Sequence, residues 1–290
     1  MKAGAECYLC LMSQVLRTAR VLGLDEGLSQ RMAREACAFL AETDFERTPP
    51  EISEDLYRLL AELSGNEDPY SEIKKDNIQK ALKLYPELKQ AVEASADPLR
   101  AALEISLAGN VIDFGANAED DWLSDRRFLS LGSLALDDYV QLVEDLNRAT
   151  RIVFLGDNAG ETVFDRLLIE KIGKKVRYAV REKPIINDAT AEEARLSGLP
   201  EVAEVISSGC RAPGTVINQC SADFLKILRE SELIIAKGQG NFECLEQIPG
   251  PFYFLLKAKC EVVSRHLGVE KGSLVLTRSR NFQARLAFNI

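Results

Sequence analysis

Histidine is almost absent from this chain: His266, beside Arg265, is the only one in 290 residues. That scarcity excludes three-histidine zinc centres and leaves one candidate for any histidine-based triad or proton shuttle. Acid–base chemistry therefore falls mainly to carboxylates, lysines or metal-bound water. An excess of positive charge is missing too, since the formal net charge is −9. Nucleic acid and anionic membranes both call for a basic face, so neither is expected as a partner. A small anionic substrate remains compatible, because local cations or a metal dominate a pocket. No apolar run reaches the roughly 18 residues needed to cross a bilayer. The opening MKAGAECYLC has no basic segment followed by a long apolar core, so no secretory signal is evident.

What is present is a globular composition, 46% hydrophobic and 28% charged. The length suffices for a large core and for two domains. Seven cysteines, odd in number and irregularly spaced, fit a reducing interior better than a disulfide framework. A cytoplasmic protein is expected.

The first third reads as helices. Leu9, Met12, Val15, Leu16, Ala19 and Leu22 recur at three- and four-residue steps, with a break near Gly23 to Gly27. Thr48-Pro49-Pro50 closes that part, Ser53 to Leu63 makes a further helix, and helical spacing resumes from Pro69 to Ala94, with Pro86 marking a break or a start. Asp97-Pro98 opens another helix, the aspartate capping and the proline in the first turn. It runs into a glycine-framed segment where Asn110 and Asp113 share a face if helical. Two helical pieces, near Asp120–Leu129 and Asp137–Ala149, follow.

From Arg151 the pattern changes to alternation. Strands are expected at 152–155, 176–180, 202–207, 233–236, 252–256 and 273–277, with helices between them. That alternation implies an α/β fold with a parallel sheet and helices on both faces. The chain divides into a helical domain over 1–95 and an α/β domain over 96–290 whose sheet begins near 151.

Polar chemistry gathers after the strands. Asp157, Asn158 and Gly160 follow the first strand, Asn187 and Asp188 the second. Lys237, Gly238, Gly240 and Asn241 follow the fourth, and Lys257 and Lys259 the fifth. Open α/β sheets bind ligands at this end. Asp157 and Asn158 offer adjacent hard oxygen donors to Mg²⁺ or Mn²⁺, with Asp188 a third; the bland alternative is a helix cap. Glu161 either favours the helix dipole or orients a water. Lys237-Gly238-Gln239-Gly240-Asn241 suits a phosphate, by a cation and glycine-freed amides, or is an ordinary turn. Neither the P-loop nor the G-x-G-x-x-G pattern is present. Cys7-x-x-Cys10 is either half of a metal site, a redox pair, or core packing.

Gly109-Asn110-x-x-Asp113-Phe114, Gly156-Asp157-Asn158-Ala159-Gly160-Glu161, Asn187-Asp188 and Lys237-Gly238-Gln239-Gly240-Asn241-Phe242-Glu243 together resemble the damage-control phosphatase family. That family was long catalogued as a domain of unknown function and is related to proteins named acidic-residue methyltransferases. The leading CxxC is similar to that of its CxxC-bearing subfamily I. The resemblance implies a three-layer α/β/α core with a mostly parallel sheet, an N-terminal helical domain, and a divalent metal: Mn²⁺, Co²⁺, Ni²⁺ or Mg²⁺. It implies Asp157, Asn158 and Asp188 as metal ligands, and Gln239 to Glu243 with Lys257 at the substrate phosphate. Asn110 and Asp113 would border the same cleft. Gln239-Gly240 and Glu243 stand where some relatives carry Asp-Leu and Arg, so substrate preference does not carry over from those relatives.

The expectation is a metal-dependent phosphatase for small phosphorylated metabolites, sugar phosphates or damaged nucleotide-related compounds, with Lys237 or Lys257 balancing phosphoryl charge. An aspartyl-phosphate route is disfavoured by Ala159, two positions after Asp157, where haloacid-dehalogenase-type enzymes carry a second aspartate. The alternatives are an S-adenosylmethionine-dependent carboxyl methyltransferase and a non-catalytic phosphometabolite-binding protein. Oligomeric state is not legible.

Overall fold

The computed structural model describes residues 1–109, 134–283 and 286. The first 109 residues form α1 (Glu6–Val21), α2 (Glu26–Ala41), α3 (Pro49–Ser64), α4 (Ser71–Ala94) and α5 (Pro98–Gly109). Their starts follow from local chemistry. Asp25 accepts from the Leu28 amide at 2.8 Å to begin α2. Thr48 and Glu51 form a capping box before α3, with proline in its first turn. Asp97 accepts from the Arg100 amide at 3.0 Å, as its sequence suggests.

Pro86 does not break the chain: α4 runs through it to Ala94. An interior proline costs about 3 kcal/mol through its missing amide and ring clash. Leu84, Leu88 and Val92 of the same helix are buried, each worth roughly 1.5–3 kcal/mol, and that burial outweighs the local penalty.

The sheet contains β1 (Leu136–Asp137), β2 (Ile152–Leu155), β3 (Val176–Val180), β4 (Glu204–Ser207), β5 (Leu233–Lys237), β6 (Phe252–Lys257) and β7 (Leu274–Arg278), in the order β1-β7-β6-β5-β2-β3-β4. The connecting helices are α6 (Tyr139–Arg148), α7 (Thr162–Ile172), α8 (Ala191–Leu196), α9 (Ala222–Glu230), α10 (Gly238–Leu245) and α11 (Glu261–Leu267). Strands β2 to β6 pair in parallel, with Phe154 opposite both Tyr178 and Ile235.

The sheet is mostly parallel, as expected, with β7 antiparallel to β6. The intervening α11 has only seven residues, and the Gly272 amide bonds back to the Ala258 carbonyl at 2.8 Å. The chain thus re-enters the sheet at the end it has just left. Residues Leu136 and Asp137, the latter expected to begin a helix, instead form the two-residue β1 on the β7 edge, and α6 starts at Tyr139.

Successive strand residues face opposite layers. Ile152, Phe154, Tyr178 and Ile235 pack with α4, α5 and α7, whereas Val153, Leu155, Ile234 and Phe254 pack with α9, α10 and α11. The result is a three-layer α/β/α arrangement. Helices α1 to α3 enclose a separate apolar cluster, around Val15, Ala36 and Leu56, which Ile185 joins from the loop after β3. Among the described residues no helix is long and apolar enough to cross a membrane.

The strand order places a switch point. From β2 the chain adds β3 and β4 on one side, then β5 and β6 on the other. The crevice between the C-terminal ends of β2 and β5 is where such sheets hold ligands.

Candidate active site

Asp157 leaves β2 and Gly238 leaves β5 at that crevice, and they all but touch. Gly238 has φ +80°, and a Cβ there would lie 2.0 Å from Asp157 Oδ2. Only glycine lets the start of α10 come so near the carboxylate. Gly238→Ala is therefore expected to lower activity by on the order of 10²-fold through misplacement of Asp157. Initial rates on a generic phosphate ester check this; a wild-type rate contradicts it.

Asp188 reaches the same place through backbone pairing. Asn158 and Asp188 form an isolated antiparallel bridge, in which the Ala159 amide bonds to Asn187 O and the Ala189 amide to Asp157 O, both at 2.8 Å. Asp157, Asn158 and Asp188, separated by a whole βα unit in sequence, become neighbours. The Asn158 amide nitrogen donates to Asp157 Oδ2 at 3.1 Å and to Glu161 Oε1 at 2.6 Å, which leaves its oxygen on the other side of the amide.

Lys237 takes a position other than the one its sequence context suggests. Its ammonium is fully buried, bound to Asp165 Oδ1 at 2.7 Å, Glu161 Oε2 at 2.9 Å, Ser106 O at 2.7 Å and Ser106 Oγ at 3.0 Å. Its three protons are taken up by these acceptors, so the phosphate contact expected of it is not available in this arrangement. Burial alone lowers its pKa, but Asp165 and Glu161 more than offset that and raise it. Tyr178 completes the cluster by donating to Asp165 Oδ2 at 2.8 Å. Lys237 thus fixes Glu161, which in turn fixes Asn158.

Asn241 is likewise a brace. Its amide donates to Gly156 O at 3.0 Å and Lys237 O at 2.7 Å, tying the turns after β2 and β5 together. Its oxygen accepts from Thr215 Oγ1 at 2.8 Å and from Arg181 at 3.3 Å. Arg181 donates through Nε to Asp188 Oδ2 at 2.8 Å. Gly240 permits another close approach, since a Cβ there would meet Pro213 O at 1.9 Å. Gln239 turns toward Glu243 Oε1 and the Cys260 thiol, at 2.8 and 3.5 Å, and burial pushes the Glu243 carboxyl up to about 7. Lys257 ends β6 half-buried, while Lys259 is exposed and lies within electrostatic range of Asp157. Asn110 and Asp113 lie outside the described residues.

Asp165, Ser106, Tyr178 and the bracing roles of Arg181 and Thr215 were not found by sequence reasoning. The one available signal was Asp165 itself, an acid among Val163, Phe164, Leu167 and Leu168 on the buried side of α7.

Does this donor set fit a divalent cation? Among the described residues no three His, Cys, Asp or Glu side chains converge as a ready-made metal cage. A cation would rest on the carboxylates of Asp157 and Asp188 and the carbonyl of Asn158, hard oxygen donors of the kind Mg²⁺ and Mn²⁺ accept. Burial raises the Asp157 carboxyl well above its usual range, and the charges of Asp188 and Glu161 raise it further. Burial also raises Asp188, despite Arg181. Negative charge crowded into a desolvated pocket is what a cation neutralises, so the residues fit.

The CxxC pair lies elsewhere. Cys7 is half-buried and Cys10 exposed near the start of α1, and every cysteine is a free thiol. Burial raises the half-buried Cys7 thiol, and the nearby Glu243 raises it further.

An open α/β sheet with buried acids at its switch point defines a class of ligand-binding or catalytic protein. Comparison with known proteins narrows it. Residues 3–275 match the model of the damage-control phosphatase ARMT1-like domain. A protein of Pyrococcus horikoshii named damage-control phosphatase is 36% identical over 97% of this chain and 99% of its own. One of the same name from Archaeoglobus fulgidus is 34% identical over 95% and 98%. A crystal structure of a DUF89 family protein from Pyrococcus horikoshii superposes with a TM-score of 0.89 at 35% identity, covering 97% of this chain and all of the other. The chain belongs to the damage-control phosphatase ARMT1-like family.

Proposed function

We propose that this protein is a metal-dependent phosphomonoester hydrolase acting on small phosphorylated metabolites. Relatives at 34–36% identity over nearly the full length carry the name phosphatase, which supports the reaction class. The observation that carries metal dependence is the set Asp157, Asn158 and Asp188, brought together at the switch point with a surplus of buried acid. A divalent ion held there would supply Lewis acidity toward a phosphoryl oxygen and acidify a bound water.

The chain's own groups do the rest. Lys237 holds Glu161 in place, and Glu161 orients the Asn158 amide. Arg181 holds Asp188 by its Nε donor. Lys259, exposed near Asp157, supplies a cation for phosphoryl oxygens, the role that the sequence suggests for Lys237 or Lys257. Water is the attacking group in this reading, and Ala159 leaves an aspartyl-phosphate route without its usual partner acid.

Hydrolysis of p-nitrophenyl phosphate before and after chelation provides the test. Activity should fall to background in EDTA and return with added Mn²⁺, Co²⁺, Ni²⁺ or Mg²⁺. Turnover indifferent to the chelator sinks the proposal.

A further inference from the structure

A cavity of about 530 Å³ opens between α3 with the turn after it and the loop that follows β3. The loop is the one that delivers Asp188. Its base is closed by the bond from the Arg181 amide to Ala189 O at 2.9 Å, and its tip by that from the Asp188 amide to Ile185 O at 3.0 Å. A turn closed in this way keeps the Cα atoms of Ile185 and Asp188 within about 7 Å. Ile185 and Ile186 line the cavity, so its wall and the proposed metal ligand belong to one turn. Ile186 has φ +45°, the one non-glycine in the left-handed region among the described residues. Strain of that kind in a branched side chain persists where a site requires it.

Lys183 and Arg211 line the same wall. The Glu182 amide bonds to Cys210 O at 2.9 Å, which sets the two following residues, Lys183 and Arg211, beside one another. Both are exposed, and among the described residues neither has an ion-pair or hydrogen-bond partner. Across the cavity stand Glu54, Glu62, Glu67 and Asp68. Asp68 is tied by one oxygen to Lys74 at 2.8 Å, while its other oxygen and Glu54 Oε2 are buried without hydrogen-bond partners. Arg58, on the acidic side, is engaged by Asp55 at 2.9 Å. One wall thus offers paired, unneutralised cations, and the other offers the exposed carboxylates of Glu62 and Glu67 as hydrogen-bond acceptors.

We infer that this cavity receives the part of the substrate remote from the scissile phosphate and selects hydroxylated phosphomonoesters that carry a second anionic group. The inference rests on the phosphatase reading above. The second anion, a phosphate or a carboxylate, sits on Lys183 and Arg211. The substrate's hydroxyls face the acids of α3 and its following turn.

The test compares three substrates: a hexose bisphosphate, a phosphorylated sugar acid and the corresponding hexose monophosphate. Each is assayed with the wild-type protein and with the Lys183→Ala/Arg211→Ala double variant. Wild type should favour at least one of the doubly anionic esters by about tenfold or more in kcat/KM, the size of one charge-assisted contact, and mainly through KM. In the double variant that ratio should collapse toward one. Calorimetric titration of the favoured ester should show binding weakened by a similar factor, a readout independent of turnover. The two doubly anionic esters tell which second anion the pocket takes. Wild-type hydrolysis with no such preference, or a preference that survives the double substitution, overturns the inference and leaves the phosphatase reading standing. No hydrolysis of any ester under any metal overturns the phosphatase reading itself.

Discussion

Replacing Asp157 by asparagine is expected to remove most phosphatase activity while leaving the metal-free fold at least as stable as the parent. The loss should be about 10²–10³-fold, the scale seen when a group that stabilises developing charge is deleted. The stability half of the prediction comes from crowding. Asp157 shares a desolvated pocket with Asp188 and Glu161, and burial with their charges holds its carboxyl above the ordinary range. A carboxyl raised in the folded state costs that state free energy at pH values where it must ionise. The amide cannot ionise, so the cost disappears. Thermal melts in chelator, alongside p-nitrophenyl phosphate assays, separate the two effects. A variant that loses stability in parallel with activity would show Asp157 to be structural.

The second large effect is expected at Lys237. Lys237→Met should destabilise the protein by roughly 3–5 kcal/mol, because it leaves Glu161 and Asp165 buried without their cation. Both acids are all but solvent-free, at 1% and 0% exposure, so hydration cannot take over. Adding Asp165→Asn to the Met variant should recover part of the loss by removing one of the stranded charges. Unfolding in urea measures both steps. A loss below about 1 kcal/mol, typical of a surface pair, contradicts the buried-network account.

The two predictions separate what was legible in the sequence from what was not. Strands β2, β3, β5 and β6 declared themselves as apolar β-branched and aromatic runs, and their polar C-terminal ends pointed to the edge where Asp157, Asn158 and Asp188 meet. The joining of Asp157 and Asn158 with Asp188 followed from strand ends alone, since parallel neighbours deliver their loops to one place. Lys237 shows the limit. A lysine after a buried strand and before glycines reads as a phosphate contact. Its real partners, Asp165 and Ser106, lie 72 and 131 residues away on α7 and α5. No local pattern reports a contact made by packing two helices on the same sheet face. β1 was illegible for the opposite reason, since two residues carry no periodicity. The antiparallel entry of β7 depended on a seven-residue helix too short to carry the chain back along the sheet.

The central claim is that Asp157, Asn158 and Asp188 hold a divalent ion on which hydrolysis depends. Equilibrium dialysis against Mn²⁺, run on wild type, Asp157→Asn and Asp188→Asn with hydrolysis assayed on the same samples, tests it most directly. The account predicts about one tightly held ion per chain in wild type, lost together with activity in both variants while melts show them folded. Undiminished Mn²⁺ binding in both variants, or full activity in a variant that no longer binds the ion, would contradict it.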